Sequence, residues 1–206
     1  MHPYTQGGWR NPVNPNAPGS SSRPPQPSIF GALPDPFRSR SRATPNPTLI
    51  SFTFGSFQPN ILNCTVTGAP QSRVYFRIMT DTPTVGYTVF LDAANQPITI
   101  IDWRSEHPIV EVRGILSKRR TADCLPLGTG PSSRFVAVLG KHFVWVPGGD
   151  YIFLYSAGVG RPQVYAQVSR GEGAVTLELT AEAIQIGLLE ICVTATFLLQ
   201  CGRNID

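Results

Sequence analysis

From Thr48 onward the chain alternates apolar and polar residues with a period of two. Ile50, Phe52 and Phe54 alternate with Leu49, Ser51 and Thr53, and Val74, Phe76 and Ile78 with Tyr75 and Arg77. Tyr87, Val89 and Leu91 follow, then Thr99, Ile101 and Trp103. Further short runs, rich in β-branched and aromatic side chains, cover 109–113, 134–139, 142–146, 151–155, 163–169 and 174–179. Successive side chains of a strand point to opposite faces, so each run predicts a half-buried strand. Turn residues separate the runs: Thr67-Gly68-Ala69-Pro70, Ala94-Asn95-Gln96-Pro97, Gly140-Lys141, Pro147-Gly148-Gly149-Asp150 and Gly158-Val159-Gly160. With 61–66 and 115–118 added there are about twelve strands, spaced as in an antiparallel sandwich or barrel.

The period changes at the end of the chain. Thr180 is a candidate helix N-cap, with Glu182 placed in the first turn. Residues 181–200 read AEAIQIGLLEICVTATFLLQ. At about 100° per residue, Ile184, Leu188, Ile191, Ala195 and Leu198 form one face, while Ile186, Val193 and Phe197 fall on the other. A helix apolar all round is buried on every side or lies in a membrane. Glu190 in mid-segment and Gln185 near its start leave no uncharged apolar run of about 18 residues. The reading is therefore a closed mainly β barrel enclosing a C-terminal hydrophobic helix as its core, with no transmembrane segment.

Composition adds a boundary. Residues 1–47 hold eleven of the twenty prolines and no alternating apolar run. Such a stretch buries too little apolar surface to offset its ordering entropy, so we expect a disordered tail over 1–47 and a domain over 48–206. Within the tail, Ile29-Phe30-Gly31-Ala32-Leu33-Pro34-Asp35-Pro36-Phe37 is a candidate docking peptide. Pro24-Pro25-Gln26-Pro27 fits a PxxP pattern, and Arg38-Ser39-Arg40-Ser41-Arg42 is open to phosphorylation. The net charge of +4 also belongs to the tail, which has five arginines and Asp35; the remainder has twelve basic and twelve acidic residues. The domain thus has no global basic field, and no nucleic-acid partner is expected.

The chemistry search is mostly negative. Met1-His2-Pro3-Tyr4-Thr5-Gln6 is not a secretory signal, so the expected location is cytoplasmic, with Cys64, Cys124, Cys192 and Cys201 as free thiols. No C-x-x-C or H-x-x-x-H spacing predicts a metal, and no cofactor is expected. Asp102 and Glu106 near His107 imitate an acid–base pair but read as turn residues. The glycine-rich segment 128–133 lacks the lysine and following helix of a phosphate loop. Trp103 and Trp145 lie within strand patterns and read as core. Glu190 must reach a barrel mouth or find a partner. We expect no enzyme.

Several segments carry a resemblance. Asn60-Ile-Leu-Asn-Cys-Thr-Val66, Ile98-Thr-Ile-Ile-Asp-Trp103, Ser133-Arg-Phe-Val-Ala-Val138, Gly140-Lys-His-Phe-Val-Trp145, Tyr165-Ala-Gln-Val168 and Leu188-Leu-Glu-Ile-Cys-Val-Thr-Ala195 occur in this order. Over about 48–201 the chain resembles domain-of-unknown-function family 6593, found in mushroom-forming fungi. That family is similar in turn to the tubby C-terminal-like fold shared by tubby proteins and phospholipid scramblases. The resemblance implies the barrel around a threaded helix and brings no activity with it.

One cluster bears on function. Lys118-Arg119-Arg120, with Arg113 nearby, is a local basic group in an otherwise neutral domain. Tubby-like proteins hold phosphoinositide headgroups with basic residues on the barrel surface, and several cations within a Debye length bind a multivalent phosphate. Two functions follow. The first is a non-catalytic interaction module that binds protein partners through barrel surface and tail. The alternative is peripheral binding to anionic phospholipid through Arg113, Lys118, Arg119 and Arg120. The tail reading predicts that limited proteolysis leaves a stable core starting near Thr48. A chain truncated there that fails to fold would contradict it.

Overall fold

A computed structural model describes residues 48–206, apart from 69–72, 82–85, 131 and 159–161. The tail 1–47 with its three candidate segments, the turn residues Ala69-Pro70 and Val159-Gly160, and Pro131 of the glycine-rich segment lie outside the described residues. The alternating runs form twelve strands: β1 (Leu49–Gly55), β2 (Cys64–Gly68), β3 (Arg73–Thr80), β4 (Tyr87–Asp92), β5 (Pro97–Asp102) and β6 (Ile109–Val112), then β7 (Leu116–Arg120), β8 (Arg134–Val138), β9 (Lys141–Gly148), β10 (Tyr151–Ser156), β11 (Val164–Gly171) and β12 (Ala174–Thr180). They make one antiparallel sheet in the order β7-β6-β5-β4-β3-β2-β1-β12-β11-β10-β9-β8. Neighbours in sequence are neighbours in space, and the single long-range pairing, β1 with β12, joins the two halves.

The sheet curls into a nearly closed barrel around a helix. Helix α1 (Thr121–Cys124) carries the chain between the end strands β7 and β8, which do not pair with each other. The C-terminal apolar segment forms α2 (Ala181–Gln185) and α3 (Leu189–Gln200). Eight consecutive residues of α3, 191–198, are buried, as its all-round apolar surface requires. The helix touches β5 on one side and β12 on the other. The Phe197 ring meets Phe90 edge-on at 5.1 Å, and Thr194 Oγ1 lies 3.0 Å from Thr99 Oγ1 of β5. Phe52, Phe54, Phe76, Ile78, Ile101, Val136, Trp145, Leu154 and Leu177 close around it.

Two expectations are corrected. The single helix over 181–200 is broken at Gly187, whose φ of +79° is a left-handed conformation open to glycine at little strain. Leu188 N–H donates to Ala183 C=O and Gly187 N–H to Ile184 C=O, both at 3.0 Å, which is a Schellman ending. Thr180 does cap α2, its Oγ1 accepting from Ala183 N–H at 3.1 Å. Ile184 consequently sits on α2, half-buried against the core, while Leu188, Ile191, Ala195 and Leu198 are inside. Glu190 falls in the first turn of α3, half-buried, where a carboxylate is favoured by the helix dipole.

The second correction is the parity of β4. The pattern singled out Tyr87, Val89 and Leu91 as the apolar positions of this run, but Thr88 and Phe90 are the buried residues. Phe90 meets α3. The Thr88 hydroxyl accepts from Trp103 Nε1 and lies 2.8 Å from the Thr80 hydroxyl, so it enters the core fully bonded.

Because α3 is the core, an unpaired carboxylate on it has nowhere to go. Ile191→Asp is expected to abolish folding, since even truncation of such a side chain to Ala costs about 2–5 kcal/mol against a whole-domain stability of about 5–15. Leu188→Asp, at the N-cap, loses a buried leucine but gains a capping acceptor and is expected to be the milder of the two. Deleting residues 181–206 is expected to give insoluble protein. A soluble fragment 48–180 with a cooperative melt would show that the strands form a core of their own.

Candidate functional site

The four basic residues lie where β5, β6 and β7 meet at one end of the sheet. Arg113 follows β6, its N–H donating to Ile98 C=O at 2.8 Å, and it lines a shallow outer hollow with Pro97, Ile98, Ile100 and Glu111. Lys118 lines the adjoining hollow with Tyr87, Ile100, Asp102, Ile109 and Glu111. Glu111 lines both hollows, and the charge of Lys118 helps lower the Asp102 carboxyl.

Arg119 points elsewhere. It opposes Val110, a buried inward residue, whereas Arg120 opposes Ile109 on the outer side. The charge of Arg119 acts on Cys124 of α1, and its guanidinium reaches Ser117 Oγ at 3.4 Å. The structure thus brings Lys118 and Arg113 to one outer face and turns Arg119 away from them. Strand alternation is the cause.

The imitation acid–base group comes apart. Arg104 donates Nε and Nη2 to Asp102 at 3.0 and 2.9 Å and stacks over the Tyr87 ring at 4.2 Å. These hydrogen bonds hold the Asp102 carboxyl down at about 2. Glu106 is exposed, and His107 Nδ1 lies 3.5 Å from a main-chain oxygen of Asp206. In the glycine-rich segment, Gly128 N–H donates to Ser133 C=O and Gly130 N–H to Ser133 Oγ, so the loop spends its donors on itself. Trp145 is in the core and Trp103 packs against it. Burial pushes the thiols of Cys64 and Cys124 up to about 12 and 11, and raises Cys192 and Cys201 as well. A protonated thiol is a poor nucleophile.

Sequence reasoning missed a second surface, on the opposite half of the barrel. Tyr151, Phe153 and Tyr155 follow one another along the outer face of β10, with ring centroids 5.7 and 6.0 Å apart. Their register partners on β9 are Gly148, Val146 and Val144, and Val144 opposes Phe135 of β8. Gly148 makes room for this strip, since a Cβ there would lie 3.2 Å from the Phe153 ring. Phe135 and Tyr151 are exposed. The signal in the sequence is that β10, YIFLYS, is apolar at both parities; only one parity can face α3.

The gap between β7 and β8 is strapped by the C-terminal residues. Arg134 of β8 donates to both carboxylate oxygens of Asp206 at 2.8 Å and to Leu125 C=O at 2.8 Å. Ile205 is buried, and its C=O accepts from the Thr121 hydroxyl. The Arg134 hydrogen bonds lower the Asp206 carboxyl below its ordinary value. A lowered folded-state pKa contributes stability that is present above the unfolded value, about pH 4, and lost as the pH falls further. Asp206 is 48% exposed, so the contribution is about 1 kcal/mol or less. Asp206→Asn is expected to lower the melting temperature by a few degrees at pH 7, and the difference should shrink towards zero near pH 2. A difference that persists in acid would place the effect elsewhere.

No family model matches the chain, and no curated protein matches it. A solved structure of an Arabidopsis thaliana protein is similar over 72% of this chain and 92% of that chain, at 13% identity and a TM-score of 0.37.

Proposed function

We propose that the domain is a non-catalytic binding module that takes protein partners on the outside of its barrel, with the tail 1–47 as a second contact. The observation that carries this reading is the aromatic strip of Tyr151, Phe153 and Tyr155 beside Phe135. Helix α3 fills the interior, so recognition falls to the outer surface. Aromatic side chains supply much of the binding free energy of protein interfaces at little entropic cost. The free thiols suit a reducing, cytoplasmic setting. Descent from the fungal family with the tubby-like fold is part of the same reading; twelve strands around a C-terminal helix support it.

Anionic phospholipid is the less favoured ligand, because the cations do not converge on one face: Arg119 turns away from Arg113 and Lys118. Among the described residues no helix is long and apolar enough to cross a membrane. The test uses the immobilised full chain and its Phe135→Ser, Tyr151→Ser variant. Phe135 is 37% and Tyr151 42% exposed, so the substitutions also remove packing, and the melting temperature of the variant is measured beside its binding. The wild type is expected to retain a protein that the variant loses while both chains are still folded at the temperature of the assay. Retention that ignores both substitutions, or sedimentation with anionic vesicles in place of protein capture, would overturn the reading.

A further inference from the structure

The run Lys118-Arg119-Arg120 lies on a strand with a neighbour on one side only. β7 pairs with β6, and among the described residues no strand pairs with its other edge. A free edge presents unpaired N–H and C=O groups to any extended chain that can meet them. Leu116 is buried, but the next four residues, 117–120, are all exposed. Both faces of this stretch therefore reach solvent, and the side-chain contact on its main chain comes from the strand itself, Arg119 Nε donating to Ser117 C=O at 3.4 Å.

Three successive cations on that edge decide what fits it. A second copy of β7 would set cation against cation, which is destabilising between directly opposed residues. A phosphate headgroup is compact and meets one face. Here Lys118 and Arg120 lie on the outer side with Ile109, and Arg119 on the side of Val110. An extended peptide has the same period of two as the strand it joins. Three successive acidic side chains on it would each fall beside a cation, on alternating faces, with Cβ atoms about 4.5–5.5 Å apart. Among the described residues Asp102 is paired with Arg104, and neither Asp102 nor Glu111 forms an ion pair with Lys118, so an incoming carboxylate displaces no salt bridge there.

We propose that the free edge of β7 takes an acidic, extended segment of a partner protein as an added strand, with Lys118, Arg119 and Arg120 fixing its register. Main-chain hydrogen bonds provide the affinity and the alternating ion pairs the specificity. The inference rests on the barrel being a protein-binding module and adds the chemistry of the partner. It uses a surface distinct from the aromatic strip.

The experiment is fluorescence anisotropy with the full chain and labelled peptides of about seven residues, the length of an ordinary strand. One peptide carries three consecutive glutamates among valines and threonines. A second replaces alternate flanking residues by proline, which cannot donate to a ladder. The first is expected to bind in a salt-sensitive manner. The proline peptide, and the Lys118→Glu, Arg119→Glu, Arg120→Glu variant, are each expected to weaken binding at least about tenfold. Should the charge-reversed chain fail to fold, the corresponding triple serine variant gives the same comparison. Phosphoinositide vesicles serve as the other arm. No binding of the acidic peptide at low salt, equal binding of the proline peptide, or equal binding by the triple variant would overturn the proposal. So would vesicle binding that the triple variant loses while the peptide is ignored, since the cations would then serve a membrane. If the peptide fails while capture through Phe135 and Tyr151 persists, the edge site is wrong and the module stands. If both fail, the module falls as well.

Discussion

The burial of α3 is the constraint on which the domain depends. Twelve strands curled with apolar residues inward leave a space wider than their own side chains fill. A helix fits there because it satisfies its backbone internally, while an irregular segment would bring unpaired N–H and C=O groups into the core. The side chains of 191–198 then serve as common packing partners for both halves of the sheet: Phe197 meets Phe90 and Thr194 meets Thr99 in the β1–β7 half, and the helix packs on β12 in the other. Gly187 makes the insertion geometrically possible. It ends α2 and lets Leu188 start down the barrel axis instead of continuing over the rim.

Filling the interior has a consequence for binding. Most small barrels that hold a ligand do so inside; this one has given that space to its own chain. Recognition is left to the outer face and to the edges. The outer face is uneven: its β8–β10 side is aromatic, and its β5–β7 side mixes cations with Glu111 and Asp102. The edges exist because the barrel does not quite close. β8 is partly covered by residues 126–127 and held by Arg134 on Asp206, whereas β7 has no second strand beside it among the described residues.

Much of the architecture was legible in the chain because its physical basis is local. A period of two in Phe52-Thr53-Phe54 or Val74-Tyr75-Phe76 follows from strand geometry, and an all-round apolar helix must be enclosed. The failures arose where local pattern was degenerate. In β4, Tyr87, Val89 and Leu91 look as suited to a core as Thr88 and Phe90; Thr88 was selected because Thr80 and Trp103 were there to bond its hydroxyl. In 181–200 an isolated glycine in an apolar run does not announce a break. The Schellman bonds that make it one need Leu188 to find the core.

The candidate sites divide the same way. The sequence by itself determined which residues carry charge, that the domain has no overall basic field, and that residues near 118 lie on a strand. The basic run read as one cluster; that Arg119 and Lys118 face opposite ways came from the register of β7 on β6, which includes a shift between Val110 and Val112. What only the tertiary structure decided is that β7 is an end strand without a second neighbour among the described residues, that Glu111 lines the hollows of both Arg113 and Lys118, and that Tyr151, Phe153 and Tyr155 face outward. Those outcomes depend on strand order and on which face meets α3. Both are set by contacts between residues far apart in the chain, such as Leu49 with Thr180, and no local period encodes them.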